Sequence, residues 1–460
     1  MKSKLYSNIE SKKKNIKFHM PGHKSRPFTS TGWEEFDITE LNGTDNLNNP
    51  KKEIKDIEWR IAKSYGSKSC IISVNGSTAL IMAGIMGSSR EGDRIGVVRN
   101  CHKSVFSAIH YGRLNIVFIE PLIDSVYGYP VGVDLNDLED TVKRFKLKAL
   151  VITYPTYYGT CDDLKAIKQI CDRYQVLLIV DEAHGAHFKY SSRFPCSSIE
   201  LQADITIHST HKTLSSLNQG ALLHINSDKI DIEKIRRHLS MLQTSSPSYP
   251  IILSVEEAID YMDEKGEEKL EELAAIYDKV KEDIGNTCFN NIHDKIEHDI
   301  KIIDKSKIWL APGGIGDILT RDYNIDVEFD DGKSFLCMMG AGTEKEDADR
   351  LIFALKEISD KGFCKKGQKI DSKMKFPKCG KKVMDAWQAE DMKIRTINIQ
   401  KAEGKTSSSY LVPYPPGVPI VCPGEIITSE MIEYINSLSE NSVEGMSADN
   451  MVYIIDEEPI

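Results

Sequence analysis

Val176-Leu177-Leu178-Ile179-Val180-Asp181-Glu182-Ala183-His184, read with Asp204-Ile205-Thr206-Ile207-His208-Ser209-Thr210-His211-Lys212-Thr213, decides the fold of this chain. Each stretch is a short apolar run that ends abruptly in charges and hydroxyls. Runs of this length, rich in Val, Ile and Leu, read as buried strands. Asp181 then stands at the end of one strand, and Lys212 lies just past the end of the next. In open α/β sheets, ligands gather at the carboxyl ends of the strands. A carboxylate and an amine delivered to that edge can act on one ligand. Taken singly, they read as an ordinary strand-end aspartate and a surface lysine.

The alternation continues outward from this pair. Residues 57–65 read as helix, Ser69-Cys70-Ile71-Ile72-Ser73-Val74 as strand, and 78–86 as an apolar helix. Arg94-Ile95-Gly96-Val97-Val98 and Asn115-Ile116-Val117-Phe118-Ile119 read as strands with helix-compatible sequence between them. Ala149-Leu150-Val151-Ile152 is a further strand, and 164–174 a helix. This pattern implies right-handed βαβ units and a mostly parallel sheet with helices on both faces. A long helical stretch rich in Glu and Lys, 251–284, leaves this first domain. The expected division is an irregular N-terminal segment at 1–50, a large domain at 51–250 and a small α/β domain at 251–360. A Lys- and Gly-rich linker at 361–382 and a C-terminal domain at 383–460 follow. The C-terminal domain carries a Pro-rich block at 412–423 and a helix signal at Thr428-Ser429-Glu430.

A chain of 460 residues is too long for one compact core. Its 40% hydrophobic and 28% charged content fits a soluble globular protein. A net charge of −10 argues against a nucleic-acid partner, since a polyanion is repelled. The charge serves either collection of cationic small molecules or solubility. The start Met1-Lys2-Ser3-Lys4-Leu5-Tyr6 has no apolar core suited to a signal peptide. No apolar run approaches the ~20 residues that span a bilayer. No membrane partner and a cytoplasmic location are expected. The ten cysteines contain no Cys-x-x-Cys pair, which suggests reduced thiols, no disulfide framework and no metal site. Lys12-Lys13-Lys14 reads as solvated surface.

The Asp181/Lys212 pair suits one cofactor, pyridoxal 5'-phosphate. The lysine condenses with its aldehyde, and the carboxylate keeps the ring nitrogen protonated so that the ring takes up electrons. Asn75-Gly76-Ser77-Thr78 lies between a strand and an apolar helix. It reads either as a phosphate site, from helix N–H groups and two hydroxyls, or as an ordinary N-cap. Ser209 and His211 stand just before the lysine and could donate to the same phosphate. His102, in Arg99-Asn100-Cys101-His102-Lys103-Ser104 after the strand 94–98, either stacks on an aromatic cofactor ring or is structural. Tyr154-Pro155-Thr156-Tyr157-Tyr158-Gly159 is a pocket wall or a plain aromatic turn. Gly313-Gly314-Ile315-Gly316, with no suitable strand and lysine, reads as a turn.

These words carry a resemblance. The chain resembles the bacterial Orn/Lys/Arg decarboxylases, fold type I pyridoxal-phosphate enzymes with an aspartate-aminotransferase-like core. The matching words are Phe18-His19-Met20-Pro21-Gly22-His23-Lys24, Asp37-Ile38-Thr39-Glu40-Leu41, Asp45-Asn46-Leu47, Asn75-Gly76-Ser77-Thr78 and Asn100-Cys101-His102-Lys103-Ser104. Asp181-Glu182-Ala183-His184-Gly185, Ser209-Thr210-His211-Lys212 and Thr244-Ser245-Ser246-Pro247-Ser248-Tyr249 continue the series. Tyr414-Pro415-Pro416-Gly417-Val418-Pro419 with Pro423-Gly424-Glu425 completes it. The resemblance implies that Lys212 holds the cofactor, Asp181 pairs with the pyridinium nitrogen and His102 stacks on the ring. Gly76, Ser77, Thr78, Ser209 and His211 would bind phosphate, with Ala183 and His184 also counted among the cofactor-binding residues. Thr244 or Ser245 would reach the phosphate of a neighbouring subunit. Glu425 would lie near the substrate's distal cation. Two departures stand out. The N-terminal receiver-like wing of the larger members is expected to be missing, which leaves decamers without their builder. The C-terminal Gly-Arg word reads Gly404-Lys405.

The reading is therefore a homodimeric decarboxylase that converts arginine, lysine or ornithine to the amine with release of carbon dioxide. Specificity would come from acidic groups and pocket length. Two rivals stand beside it: another fold type I reaction, such as transamination or aldol cleavage, and a non-catalytic pyridoxal-phosphate-binding protein.

Overall fold

A computed structural model describes residues 3–13, 15–26, 33–296, 298, 300, 302–363, 375–438 and 443–456. The chain forms two compact units. The first comprises Met1–Ser88, Ile179–Glu271 and Gly340–Gly342; the second comprises Ser89–Leu178, Glu272–Met339 and Thr343–Ile460.

In the first unit, the strand Ser69–Ser73 pairs antiparallel with Ala221–Ile225. That strand pairs antiparallel with Ile205–Ser209, which runs parallel to the strand ending at Asp181. Ile205–Ser209 and Ala221–Ile225 are buried at every position. They are covered on both faces, so even the polar Thr206, His208 and His224 that interrupt their apolar residues are buried. Ala221–Ile225 is the strand the sequence reading lacked. The helix Gly76–Ser88 is apolar on all sides, and its Gly87 meets the helix Ile232–Leu242 so closely that a methyl group there would lie 2.5 Å from Ile235. The N-terminal segment is not wholly irregular. Lys4–Lys12 is a helix, capped by the Ser3 hydroxyl and anchored by buried Leu5 and Ile9. Two apolar residues one turn apart in a Lys-rich stretch are too weak a pattern to read as helix.

In the second unit, Arg94–Val98 lies between Asn115–Ile119 and Ala149–Thr153, parallel to both. The helices Lys103–Tyr111, Leu135–Phe145 and Leu164–Arg173 connect or flank these strands. Asp134 and Asp163 cap the last two through their carboxylates. A separate antiparallel sheet joins Asn290–Asn291, Lys307–Ala311, Phe335–Met338 and Phe329–Asp330. Toward the C-terminus, Ile394–Asn398 pairs with Met451–Ile455, and Thr428 caps the helix Ser429–Ser437, matching the signal at Thr428.

The helix Tyr249–Asp283 carries the Glu- and Lys-rich stretch. Gly313-Gly314-Ile315-Gly316, expected as a turn, is a loop that opens the helix Gly316–Tyr323, and Asp330 accepts the N–H groups of its last three residues. Lys14 and half of the linker reading, residues 364–374, lie outside the described residues. One cysteine departs from the expectation of reduced thiols. Cys288 is disulfide-bonded, whereas eight other cysteines are free.

Candidate active site

The strand Ile205–Ser209 hands the chain to a single helical turn, Thr210–Thr213, which carries Lys212. The turn is pinned at both ends. The Thr210 N–H donates to the Gly220 carbonyl (3.1 Å), and the Ala341 N–H donates to the Thr213 carbonyl (3.0 Å). Lys212 is exposed. Its Nζ lies 3.0 Å from Nε2 of His184, on the loop after the neighbouring strand.

Asp181 ends that strand with 4% of its surface exposed. Its carboxylate accepts the Ala183 N–H at 3.2 Å. Burial pushes the carboxyl's pKa upward, while the Lys212 charge and the Ala183 N–H pull it the other way. The next residue, Glu182, is a functional neighbour the sequence reading missed. It is fully buried and accepts from Ser197 Oγ (2.8 Å) and the Ser198 N–H (2.6 Å), with His208 Nε2 at 2.9 Å. This lattice ties the Asp181 strand end to the strand that leads to Lys212. The acidic neighbour inside the Asp181 word was the available signal.

Gly76 opens the helix Gly76–Ser88 with φ +72° and donates its N–H to the Gln219 carbonyl (2.9 Å). A side chain added there would meet nothing within 4 Å, so the ground beside this helix start is open. Ser209 Oγ donates to Ser77 Oγ at 2.9 Å, bringing the two expected phosphate-side hydroxyls together. Thr78 is exposed. His211 Nδ1 faces the Gly220 carbonyl at 3.1 Å, and burial lowers the imidazole's pKa. Thr244 donates its N–H to Asn75 Oδ1 (3.3 Å), which braces the same turn; Thr244 and Ser245 are both exposed.

His102 and Glu425 belong to the second unit. His102 caps the helix Lys103–Tyr111, accepting the Ser104 N–H on Nδ1 at 3.2 Å. Glu425 is fully buried. One carboxylate oxygen takes Arg99 Nη2 at 2.7 Å and the Cys422 N–H at 2.9 Å; the other takes the Gly380 N–H at 2.7 Å. The expected partner of Glu425 was a substrate cation, and the carboxylate is here already paired with a guanidinium. Burial raises its pKa, while Arg99 and the two N–H groups lower it. Arg99 is the second residue the sequence reading passed over.

The family model for the major domain of the Orn/Lys/Arg decarboxylases matches residues 5–315, and the model for their C-terminal domain matches residues 369–445. The chain belongs to the Orn/Lys/Arg decarboxylase family. A protein of Bacillus anthracis named arginine decarboxylase is 29% identical over 96% of this chain and 94% of its own length. The solved lysine decarboxylase of Francisella novicida superposes with a TM-score of 0.85 at 20% identity, covering 99% of this chain and 81% of that one. An alanine–glyoxylate aminotransferase of Nostoc superposes with a TM-score of 0.56 at 15% identity, covering 70% of this chain and 90% of its own. The fold is thus the α/β, aspartate-aminotransferase-like fold type I. As a member of the Orn/Lys/Arg decarboxylases, the protein is an amino-acid decarboxylase, a carboxy-lyase. Among the described residues, no group of three or more His, Cys, Asp or Glu could hold a metal ion, and no helix is long and apolar enough to cross a membrane.

Proposed function

We propose that this protein removes the carboxylate of a basic amino acid, arginine first, with pyridoxal phosphate held on Lys212. The observation that carries the reading is the strand-end trio: the exposed Lys212 amine, His184 at 3.0 Å from it, and Asp181 buried at the end of the adjoining strand. The residues fit the cofactor. A buried carboxylate with a single backbone donor is short of a cationic partner, which a protonated ring nitrogen provides. The start of a 13-residue helix beside the Ser77 and Ser209 hydroxyls fits a phosphate.

When bound, pyridoxal phosphate supplies a sink for the electron pair left behind by the departing carboxylate. The protein's own groups do the rest. Lys212 anchors by its amine, and His184 exchanges a proton with Nζ across their contact. Asp181 holds a positive charge at the end of its strand. His102 offers a flat imidazole, and Glu182 keeps the two strand ends in register. The bond that breaks is chosen by orientation, which makes substrate positioning decisive. Preference for arginine is supported by the name of the Bacillus anthracis relative, whose match spans nearly the whole chain. The exposed Thr244-Ser245 pair supports a homodimer that shares its sites.

The test is carbon dioxide release from carboxyl-labelled arginine, lysine and ornithine with added pyridoxal phosphate. Release from one of them, with formation of the matching amine, is the expected result. Amino transfer to a keto acid without carbon dioxide would replace this reading with its nearest rival, and binding without turnover would leave a non-catalytic protein.

A further inference from the structure

Arg99 is nearly the largest side chain fully buried in the protein, with 1% of its surface exposed. A buried guanidinium is costly unless it is paired and hydrogen-bonded, and here it has an ion pair, two further acceptors and two aromatic rings. Nη2 donates to Glu425 and to the Ile420 carbonyl (2.9 Å), and Nη1 donates to Cys422 Sγ (2.6 Å). The Phe118 and Phe106 rings lie 4.7 and 5.5 Å from its carbon. All three polar partners come from one short segment, residues 420–425.

The same segment continues upstream to Gly417, which packs on His102. Gly417 sits at φ +82°, and a methyl group there would lie 3.1 Å from Cδ2 and 3.2 Å from Nε2 of the imidazole. The Gly417 carbonyl also accepts the Lys103 N–H at 2.9 Å. The His102 ring is therefore held on two sides, by Ser104 at Nδ1 and by Gly417 along the Cδ2–Nε2 edge. Arg99 precedes His102 by only three residues. The ion pair thus fixes both the start of the His102 loop and the segment that presses on its ring.

We propose that Arg99 and Glu425 form a clamp that positions the His102 imidazole through Gly417. Glu425 is then a positioning residue and does not meet the substrate. This rests on the reading that His102 faces the cofactor, although the clamp itself is a property of the cofactor-free chain.

The test reads the His102 ring signals by nuclear magnetic resonance in cofactor-free, histidine-labelled protein, assigned with His102→Gln. Glu425→Gln and Arg99→Lys should each shift or broaden those signals, and Gly417→Ala should do so with the ion pair intact. Turnover at saturating pyridoxal phosphate should fall roughly ten- to a hundredfold in each, with KM for the amino acid changed less than kcat. Unmoved His102 signals in folded Gly417→Ala and Arg99→Lys would overturn the clamp, whatever the stability. Should Glu425→Gln not fold, those two variants decide alone. Signals that move while the bound cofactor's spectrum and affinity stay normal, also in His102→Gln, would uphold the clamp and remove His102 from the cofactor site.

Discussion

Asp181 and Glu425 are both buried carboxylates whose pKa burial raises, and they are provided for very differently. Asp181 accepts one backbone N–H, at 3.2 Å. Glu425 accepts a guanidinium and two backbone N–H groups, all within 2.9 Å. A buried charge must be matched or it destabilises the fold. Glu425 is matched by its own chain. Asp181 is left short, so a ligand cation gains what the fold withholds. Burial alone therefore does not tell the carboxylate proposed to meet the cofactor from the one that braces the chain.

The comparison can be broken most sharply at Lys212. Lys212→Ala should abolish the visible absorbance of bound cofactor and cut turnover by orders of magnitude, with an unchanged far-ultraviolet dichroism spectrum. Asp181→Asn comes next. Its turnover should fall about a hundredfold or more, while its cofactor-free stability in urea holds or rises. The sign follows from the raised pKa at a carboxyl that, unlike Glu425, has no ion pair to lose. A carboxyl whose folded value lies above its unfolded one contributes stability at low pH that disappears as pH rises through the folded value. The amide removes that loss, so the stability difference between variant and wild type should widen toward high pH.

Glu425→Gln should behave in the opposite way in the stability assay. Removing one partner of a buried ion pair costs about 3–5 kcal/mol, read as a lower urea midpoint. A normal midpoint with a raised KM for arginine would return Glu425 to the substrate. Asp162 extends the comparison to a third carboxylate. It takes a single N–H, from Val133 at 2.8 Å, and desolvation pushes its pKa from 3.8 up to about 7. Its stabilising contribution is complete below 3.8 and lost as pH rises through 7. Asp162→Asn should therefore gain on wild type between those limits in a series of urea melts. Ser209→Ala should have the smallest effect, weakening cofactor affinity by about 1 kcal/mol in a fluorescence titration.

What the sequence made legible follows from how local each signal is. Arg94–Val98 and Asn115–Ile119 appear where short apolar runs placed them. Asp181 and Lys212 stand at strand ends because those runs stop there. Ser77 and Ser209 meet because Ser69–Ser73 and Ile205–Ser209, on either side of Ala221–Ile225, end at one edge of the sheet. The helix Lys4–Lys12 escaped because two apolar residues make too faint a stripe. Glu182 escaped because its partners Ser197, Ser198 and His208 are polar residues with no spacing of their own. Arg99 and Glu425 stand 326 residues apart, and no periodicity joins them. Read singly, Arg99 carries no signal and Glu425 becomes a candidate for the substrate.

That separation also sets a timetable for synthesis. Arg99 leaves the ribosome long before its counter-ion exists. At about 5–20 residues per second, the wait is on the order of tens of seconds. Until Glu425 emerges, the guanidinium must stay in water, so its surroundings cannot close. The turn that bears Lys212 waits for less, since its anchor at Ala341 is translated earlier. A nascent chain paused between residues 342 and 425 would carry the anchor for its lysine turn while the loop of His102 still lacked its clamp.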